Sequence, residues 1–421
     1  MTKILIISQK EVTNVTGGAI TIFNNLSNLL AENGFDVTSC CYGGTKNRPN
    51  LSPKVKFIDL KYEFDENSTY SYAINRYLKE NQQDLIIFFF TYLYTEANLN
   101  GCFDKIPRIL MYHSRPDIYN YYYQTKNKLK DIYKNTTAQI LLPSFYDLLP
   151  DFVQKGKVAI IGNPVKQQTE FANLKEEKKK IVFLSRVDEC KGVDFLIQTF
   201  SKLKNSYPDW VLHIWGYSNS KEYEKFLINL IKNNKSDKNI KLMGVTNKPL
   251  ETLKNYDFCI FPSLFEGWGI GLTEALSVGL PAIGLRKCSA VNELIIDGFN
   301  GFLTEKDYDS MANKIKILIE NKELRIKMGK NAIESVKKYD ETIINTKWLD
   351  LIEKTLTNKK IEKPILDPKG VECFSIKELF DLSKPHYRFL EKIFSVKNSS
   401  NKKHKIICIL GIKINLRKNT K

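Results

Sequence analysis

At 421 residues the chain is long enough for two or three domains, since a domain takes about 100–200 residues. With 43% hydrophobic and 26% charged residues, the composition is globular and can supply real cores. The longest apolar run, Leu85–Phe90, is far below the ~20 residues of a spanning helix, which leaves a soluble or peripheral protein.

Lys and Arg number 64 against 47 Asp and Glu, a formal charge of +17. The surplus gathers at the end of the chain. After Glu391 no acid remains, while Lys392, Lys397, Lys402, Lys403, Lys405, Lys413, Arg417, Lys418 and Lys421 follow. Such a tail favours a polyanionic surface, anionic lipid or nucleic acid. The eight cysteines contain no Cys-x-x-Cys spacing. Thiols buried as small hydrophobes suit a reducing cytosol. The first apolar run, Lys3–Ser8, is too short for the core of a signal peptide.

Lys3–Ser8 has the continuous apolar character of a buried parallel strand. A loop with Gly17-Gly18 follows. Ile22, Phe23, Leu26, Leu29 and Leu30 then recur at helical spacing, and Asn33-Gly34 stops the helix. Phe35–Cys40 is the next strand, which completes the start of a βαβ unit. Gly17-Gly18 could seat an anion at the helix entrance, and a tight turn explains it equally well. Val55–Leu60, Asp84–Phe90, Arg108–Tyr112, Ala138–Leu142 and Lys157–Ile161 are further predicted strands of a doubly wound sheet, whose ligands bind at the carboxyl strand ends. His113 stands at one such end. Tyr119, Tyr121, Tyr122 and Tyr123 follow it, able to stack on sugars or to pack as amphipathic surface. After Gly162-Asn163-Pro164 the composition turns polar and charged from Gln167 to Lys180, as in a linker, and a domain boundary is placed there.

Ile181–Ser185 opens the second domain and leads into Arg186-Val187-Asp188-Glu189-Cys190-Lys191-Gly192 and a helix, Val193–Leu203. Two fixed cations leaving one strand end can neutralise a diphosphate leaving group. Trp210–Trp215 is a strand ending at Gly216, and His213 within it is expected to be a packed or edge histidine. Lys241–Gly244 is another strand end.

The stretch Phe261–Gly284, FPSLFEGWGIGLTEALSVGLPAIG, carries the most chemistry. The strand Phe258–Phe261 exits at Pro262. Gly267, Gly269 and Gly271 follow at every second position, and Leu272, Ala275 and Leu276 have helical spacing. Free N–H groups at a helix start make an anion seat that glycines open to close approach. Glu266 and Glu274, with seven residues between them, frame it. Diphosphate repels carboxylate, so these acids are suited to hydroxyls on either side of it. Asp307-Tyr308-Asp309 has the form of a metal motif, yet it precedes a helix, Ser310–Ile319, where acids cap. Helical spacing recurs from Glu323 to Leu356. Short helices are predicted at Ser375–Leu382 and His386–Phe394. Lys405–Ile414 is an apolar run in a cationic frame, suited to an anionic headgroup region, or else a disordered tail or edge strand.

The Glu266–Glu274 stretch resembles the Glu-x7-Glu signature of the family-4 retaining glycosyltransferases, which have the two-domain GT-B fold. Gly279-Leu280-Pro281-Ala282-Ile283 and Asn292-Glu293-Leu294-Ile295, with Asp297-Gly298 and Asn300-Gly301, also fit that family. The resemblance implies two Rossmann-like doubly wound α/β domains facing a cleft, with a basic extension. The boundaries are 1–163 for an acceptor domain, 164–340 for a nucleotide-sugar donor domain, 341–356 for a helix returning to the first domain and 357–421 for the tail. It implies that Glu266 holds donor-sugar hydroxyls and Glu274 the ribose. The backbone of Gly269, Ile270, Gly271 and Leu272 meets the diphosphate together with Arg186 and Lys191. Gly18 lies near donor phosphate, His113 faces the donor sugar, and Gly216 and Val245 flank the base. No metal or other cofactor is expected.

The implied function is retaining transfer of a sugar from a nucleotide-diphosphate sugar to a hydroxyl of a saccharide or lipid-linked acceptor, in lipopolysaccharide, capsule or other surface-glycan synthesis. The expected location is cytoplasmic, peripheral at the inner membrane face through the tail, without nucleic acid as partner. Two alternatives stand beside it: a non-catalytic polyanion- or membrane-binding protein, and a sugar-nucleotide epimerase on the same fold.

Overall fold

The structure, a computed structural model, describes residues 1–8, 18–43, 50–63, 69–91, 93, 97, 105–117, 136–154, 156–362, 372–382, 394–398, 404–409 and 412–417. The chain forms two compact units. One comprises Met1–Thr169, Glu266–Ser277 and Ile333–Val371; the other comprises Glu170–Phe265, Val278–Ala332 and Glu372–Lys421.

The first unit holds a seven-stranded sheet. Its strands are β1 (Lys3–Ile7), β2 (Asp36–Cys41), β3 (Lys56–Asp59), β4 (Leu85–Phe88), β5 (Arg108–Tyr112), β6 (Thr136–Ile140) and β7 (Lys157–Ile160). They are ordered β3-β2-β1-β4-β5-β6-β7 and pair in parallel throughout. The order reverses between β1 and β4, the switch point where such sheets bind ligands. β1, β4 and β5 are almost wholly buried, as unbroken apolar runs require between two helical layers. The helix Gly18–Glu32 buries Ile22, Phe23, Leu26 and Leu30 along one stripe. Each such side chain contributes roughly 1.5–3 kcal/mol. Phe23 meets Phe89 edge-on at 5.5 Å, fixing this helix over the end of β4.

The second sheet contains β8 (Lys180–Leu184), β9 (Val211–Trp215), β10 (Ile240–Gly244), β11 (Phe258–Phe261), β12 (Ala282–Leu285) and β13 (Gly301–Thr304). Its order is β10-β9-β8-β11-β12-β13, again all parallel, with the switch between β8 and β11. The expectation of two doubly wound parallel sheets is met.

Several local expectations shift. The strand predicted at Ala138–Leu142 begins two residues earlier, at Thr136. The helical run from Glu323 to Leu356 is two helices, Lys322–Val336 and Glu341–Leu356. Asp340 breaks it by capping the second helix through Thr342 N at 2.9 Å. The polar stretch after Gln167 is docked along the second unit. Ala172 N donates to Val278 O, and Lys178 N and Lys180 N donate to the buried Asp257 carboxylate. Glu177 meets the fully buried Arg325 at 2.5 Å. Arg325 also caps the end of the helix Tyr308–Glu320, donating to Leu318 O and Ile319 O. A polar sequence here marks a surface strap.

The C-terminal region adds the helix Ile376–Leu382 and an antiparallel sheet of β14 (Phe394–Asn398), β15 (His404–Ile409) and β16 (Ile412–Arg417). The helix predicted from His386 lies mostly outside the described residues, and Phe394 opens a strand. Of the run Lys405–Ile414, residues 405–409 and 412–414 lie in the paired strands β15 and β16. Among the described residues no helix is long and apolar enough to cross a membrane.

Candidate active site

In the first unit the ends of β1, β4 and β5 converge on His113. Its ring packs 4.2 Å from Phe89 and 5.2 Å from Phe90. Burial pushes its pKa down to about 3, against the opposing effect of a hydrogen bond to the Phe89 backbone. The imidazole is thus neutral at physiological pH. Its Nε2 is buried with no hydrogen-bond partner. Two buried hydroxyls at the same edge, Ser8 Oγ after β1 and Thr91 Oγ1 after β4, also have no partner. Buried polar groups are nearly always paired, so three orphans at adjacent strand ends mark a place built for polar ligand groups. Ser8 and Thr91 escaped the sequence reading, because a single hydroxyl at a strand end has no distinguishing pattern.

The glycine-spaced segment belongs to this unit. A Cβ on Gly267 would lie 2.0 Å from His113 O, so backbone meets backbone where only glycine fits. Gly269 has φ +84°, and the helix Ile270–Ser277 starts directly after it. The positive end of the helix dipole lies there, and Leu272 N already donates to Gly269 O at 3.0 Å. Ile270 packs its Cδ1 over Gly18, the first residue of the helix Gly18–Glu32. Gly18, His113 and the Gly267–Gly271 turn are thereby brought together. Gly17 and the tyrosines 119–123 lie outside the described residues.

Glu266 is buried, and Leu272 is fully so. Glu274 is mostly enclosed, and burial pushes its carboxyl up to about 7. Trp268, between the glycines, is 3% exposed with its Nε1 unpartnered. Its ring packs against Gly162 and edge-on against Tyr339 at 4.7 Å.

In the second unit β8 and β11 pair side by side, so the segments leaving them start together. Asp188 accepts from Lys191 N at 3.0 Å, which closes a short 3-10 turn, Glu189–Lys191. Gly192 follows at φ +64°, and a Cβ there would lie 2.3 Å from Pro262 O. Leu264 N donates to Cys190 O at 2.9 Å. The turn carrying Lys191 is thus pinned to the residues that run straight into Glu266 in sequence. Lys191 is only 6% exposed. Arg186 is 41% exposed at its side chain and pairs with Asp188 at 2.7 Å.

Gly216, at φ +147°, approaches Ser185 O so closely that a Cβ would lie 1.8 Å away. Its N–H donates to Gly244 O. Val245 is exposed and, with Trp215 and Lys248, helps line a cleft of about 460 Å³. His213 is half-buried and hydrogen-bonded to Tyr256 OH at 2.9 Å. Asp307 caps its helix through Ser310 N at 2.6 Å, and Asp309 pairs with Lys202. Among the described residues no group of three or more His, Cys, Asp or Glu could hold a metal ion.

Residues 165–335 match the family model of glycosyl transferases group 1. A glycosyltransferase of Haemophilus influenzae without an assigned activity is 27% identical over 332 residues, 74% of this chain and 90% of its own length. The poly(ribitol-phosphate) alpha-N-acetylglucosaminyltransferase of Staphylococcus aureus is 27% identical over 234 residues, which cover 55% of this chain but only 45% of that relative. The solved structure of Anabaena HepE in complex with UDP-glucose is similar in fold, with a TM-score of 0.68 at 17% identity, over 84% of this chain and 100% of that one. The match to glycosyl transferases group 1 is thus confined to residues 165–335, on a fold like that of HepE.

Proposed function

We propose that the chain is a retaining glycosyltransferase of the family-4 type. It moves a sugar from a nucleotide-diphosphate sugar to a hydroxyl of a saccharide or lipid-linked saccharide in bacterial surface-glycan synthesis. Residues 1–163 serve the acceptor and 164–340 the donor, with the helix at 341–356 returning to the first domain. The observation that carries the reading is the glycine-opened start of the helix Ile270–Ser277, framed by buried Glu266 and mostly enclosed Glu274. The name of the S. aureus relative supports a glycan-like hydroxyl acceptor, and the HepE complex supports a uridine donor.

In the reaction the bond from the anomeric carbon to the diphosphate oxygen breaks. The acceptor oxygen bonds to that carbon on the same face, and the leaving phosphate oxygen takes the acceptor's proton. Arg186, Lys191 and the amides of residues 269–271 balance the diphosphate charge, so no metal is needed. Glu266 accepts from donor-sugar hydroxyls, and neutral His113 accepts one more at Nε2. A thermal-shift panel of UDP-, GDP-, ADP- and CMP-sugars tests the assignment. Protection by one base class, unchanged by EDTA, is the expected result; no protection by any of them would sink the reading.

Glu274 makes the binding pH-dependent. Its folded pKa lies above the ordinary carboxyl value of 4.5, so ionising it costs folding stability as pH rises from about 4.5 through 7. Glu274→Gln is therefore expected to stabilise the free protein by up to about 3 kcal/mol at pH 8 and by nothing at pH 4. Ribose hydroxyls favour the ionised form. Donor affinity in the wild type should thus rise up to about tenfold per pH unit below 7 and level off above it. Calorimetric titration of a UDP-sugar, whose diphosphate carries no group titrating in this window, from pH 5 to 8 checks this; the Gln variant should give a flat profile.

The basic tail is assigned to the cytoplasmic face of an anionic membrane. The apolar run Lys405–Ile414 in its cationic frame supports this. The full chain is expected to sediment with vesicles of anionic lipid but not with neutral ones. Reversing Lys397, Lys413 and Arg417 to Glu should release it.

A further inference from the structure

The turn after β12 is held from outside the family-matched region. Ala290, at its corner, has φ +67° and ψ −48° and is fully buried. That is a γ-turn conformation which side-chain-bearing residues avoid, and it persists only where the surroundings over-determine it. Residues on both sides of it are tied to the segment 372–379. Phe374, itself buried, donates its N–H to Lys287 O at 2.9 Å. The Asn292 side-chain amide bridges Arg286 O at 2.8 Å and Glu372 O at 2.9 Å. Lys287 Nζ lies 2.8 Å from Glu372 and 3.5 Å from Glu378. Backbone, amide and ion-pair contacts thus tie one short segment to one strained turn.

The turn has a place worth holding. β12 pairs with β11 in parallel, Phe261 opposite Gly284, so the turn leaves the same carboxyl edge from which the chain runs to Glu266. Ligands of doubly wound sheets bind along that edge. We propose that residues 372–379 are a strap that fixes the turn 286–291 in the shape that receives the donor nucleotide. The C-terminal extension is then part of the construction of the donor site, with Lys287, Asn292 and Phe374 as positioning residues. This rests on the nucleotide-sugar reading given above.

Hydrogen exchange on the full chain, with and without UDP, tests it. In Phe374→Ala, and in the surface variant Glu372→Lys/Glu378→Lys, amides of 286–293 should exchange about tenfold faster while β8 and β11 keep their protection. UDP should slow the same amides in the wild type, and its Kd should rise roughly five- to tenfold in both variants. Adding Lys287→Glu to the charge variant should restore both readouts. If Phe374→Ala fails to fold, the charge pair decides. Unchanged exchange, or faster exchange with an unchanged Kd for UDP, overturns the proposal. A wild type that binds UDP nowhere would instead defeat the uridine donor reading and the strap's purpose. Exchange in the variants would still show whether the turn is strapped.

Discussion

Lys191→Ala is expected to lower kcat/KM at least about a thousandfold, close to 4 kcal/mol of transition-state stabilisation, while the fold persists. Burying an ammonium is costly, and a lysine only 6% exposed is retained where its charge has work to meet. The turn that holds it is over-determined. Gly192 adopts φ +64° and touches Pro262 O, and Cys190 O receives Leu264 N. A departing diphosphate gathers negative charge as its bond to the sugar breaks, and a fixed cation acts most strongly at that moment. Arg186→Ala should cost less, because its side chain is 41% exposed and already shared with Asp188. Steady-state rates with a UDP-sugar, beside melting curves, would check the ranking. Near-normal turnover in Lys191→Ala would remove this residue from the reaction.

Long apolar runs carried most of the fold in plain view. β5 lies where its sequence pattern ends, and β1, β8 and β11 differ from expectation by a residue or less. β12 and β13 carried no comparable signal. One follows directly on Pro281 and contains Gly284, and the other opens on Gly301, so neither shows the unbroken apolar run that marks the equally short β11. The candidate site divides the same way. Glycines at every second position and paired acids are patterns, so Glu266, Gly269 and Glu274 were legible. The orphaned hydroxyls of Ser8 and Thr91, the raised pKa of Glu274 and the wedge of Trp268 arise from tertiary enclosure, which no local spacing encodes. The positive φ of Ala290 was hidden for another reason: no local pattern marks it, and the segment that ties down its neighbours Lys287 and Asn292 lies about 80 positions later.

The sharpest steric test compares two glycines of the first unit. At Gly267 an added Cβ would lie 2.0 Å from His113 O and 3.0 Å from its carbonyl carbon. Both are backbone atoms at the end of a buried strand, so relief requires moving either β5 or the glycine turn. At Gly18 the added Cβ would lie 2.1 Å from Ile270 Cδ1, the far end of a flexible side chain that another rotamer can withdraw. Gly267→Ala is therefore expected to cost about 1–3 kcal/mol of stability and at least roughly a hundredfold in turnover. The second loss follows because it separates the neutral His113 imidazole from the turn that presents Glu266. Gly18→Ala should lose less than about tenfold, and Ile270→Val should recover part of that loss. Urea unfolding and transfer rates for the three variants read both quantities. Should Gly18→Ala prove the more damaging, the contact between the His113 carbonyl and the glycine turn would not be what sets the geometry of this edge.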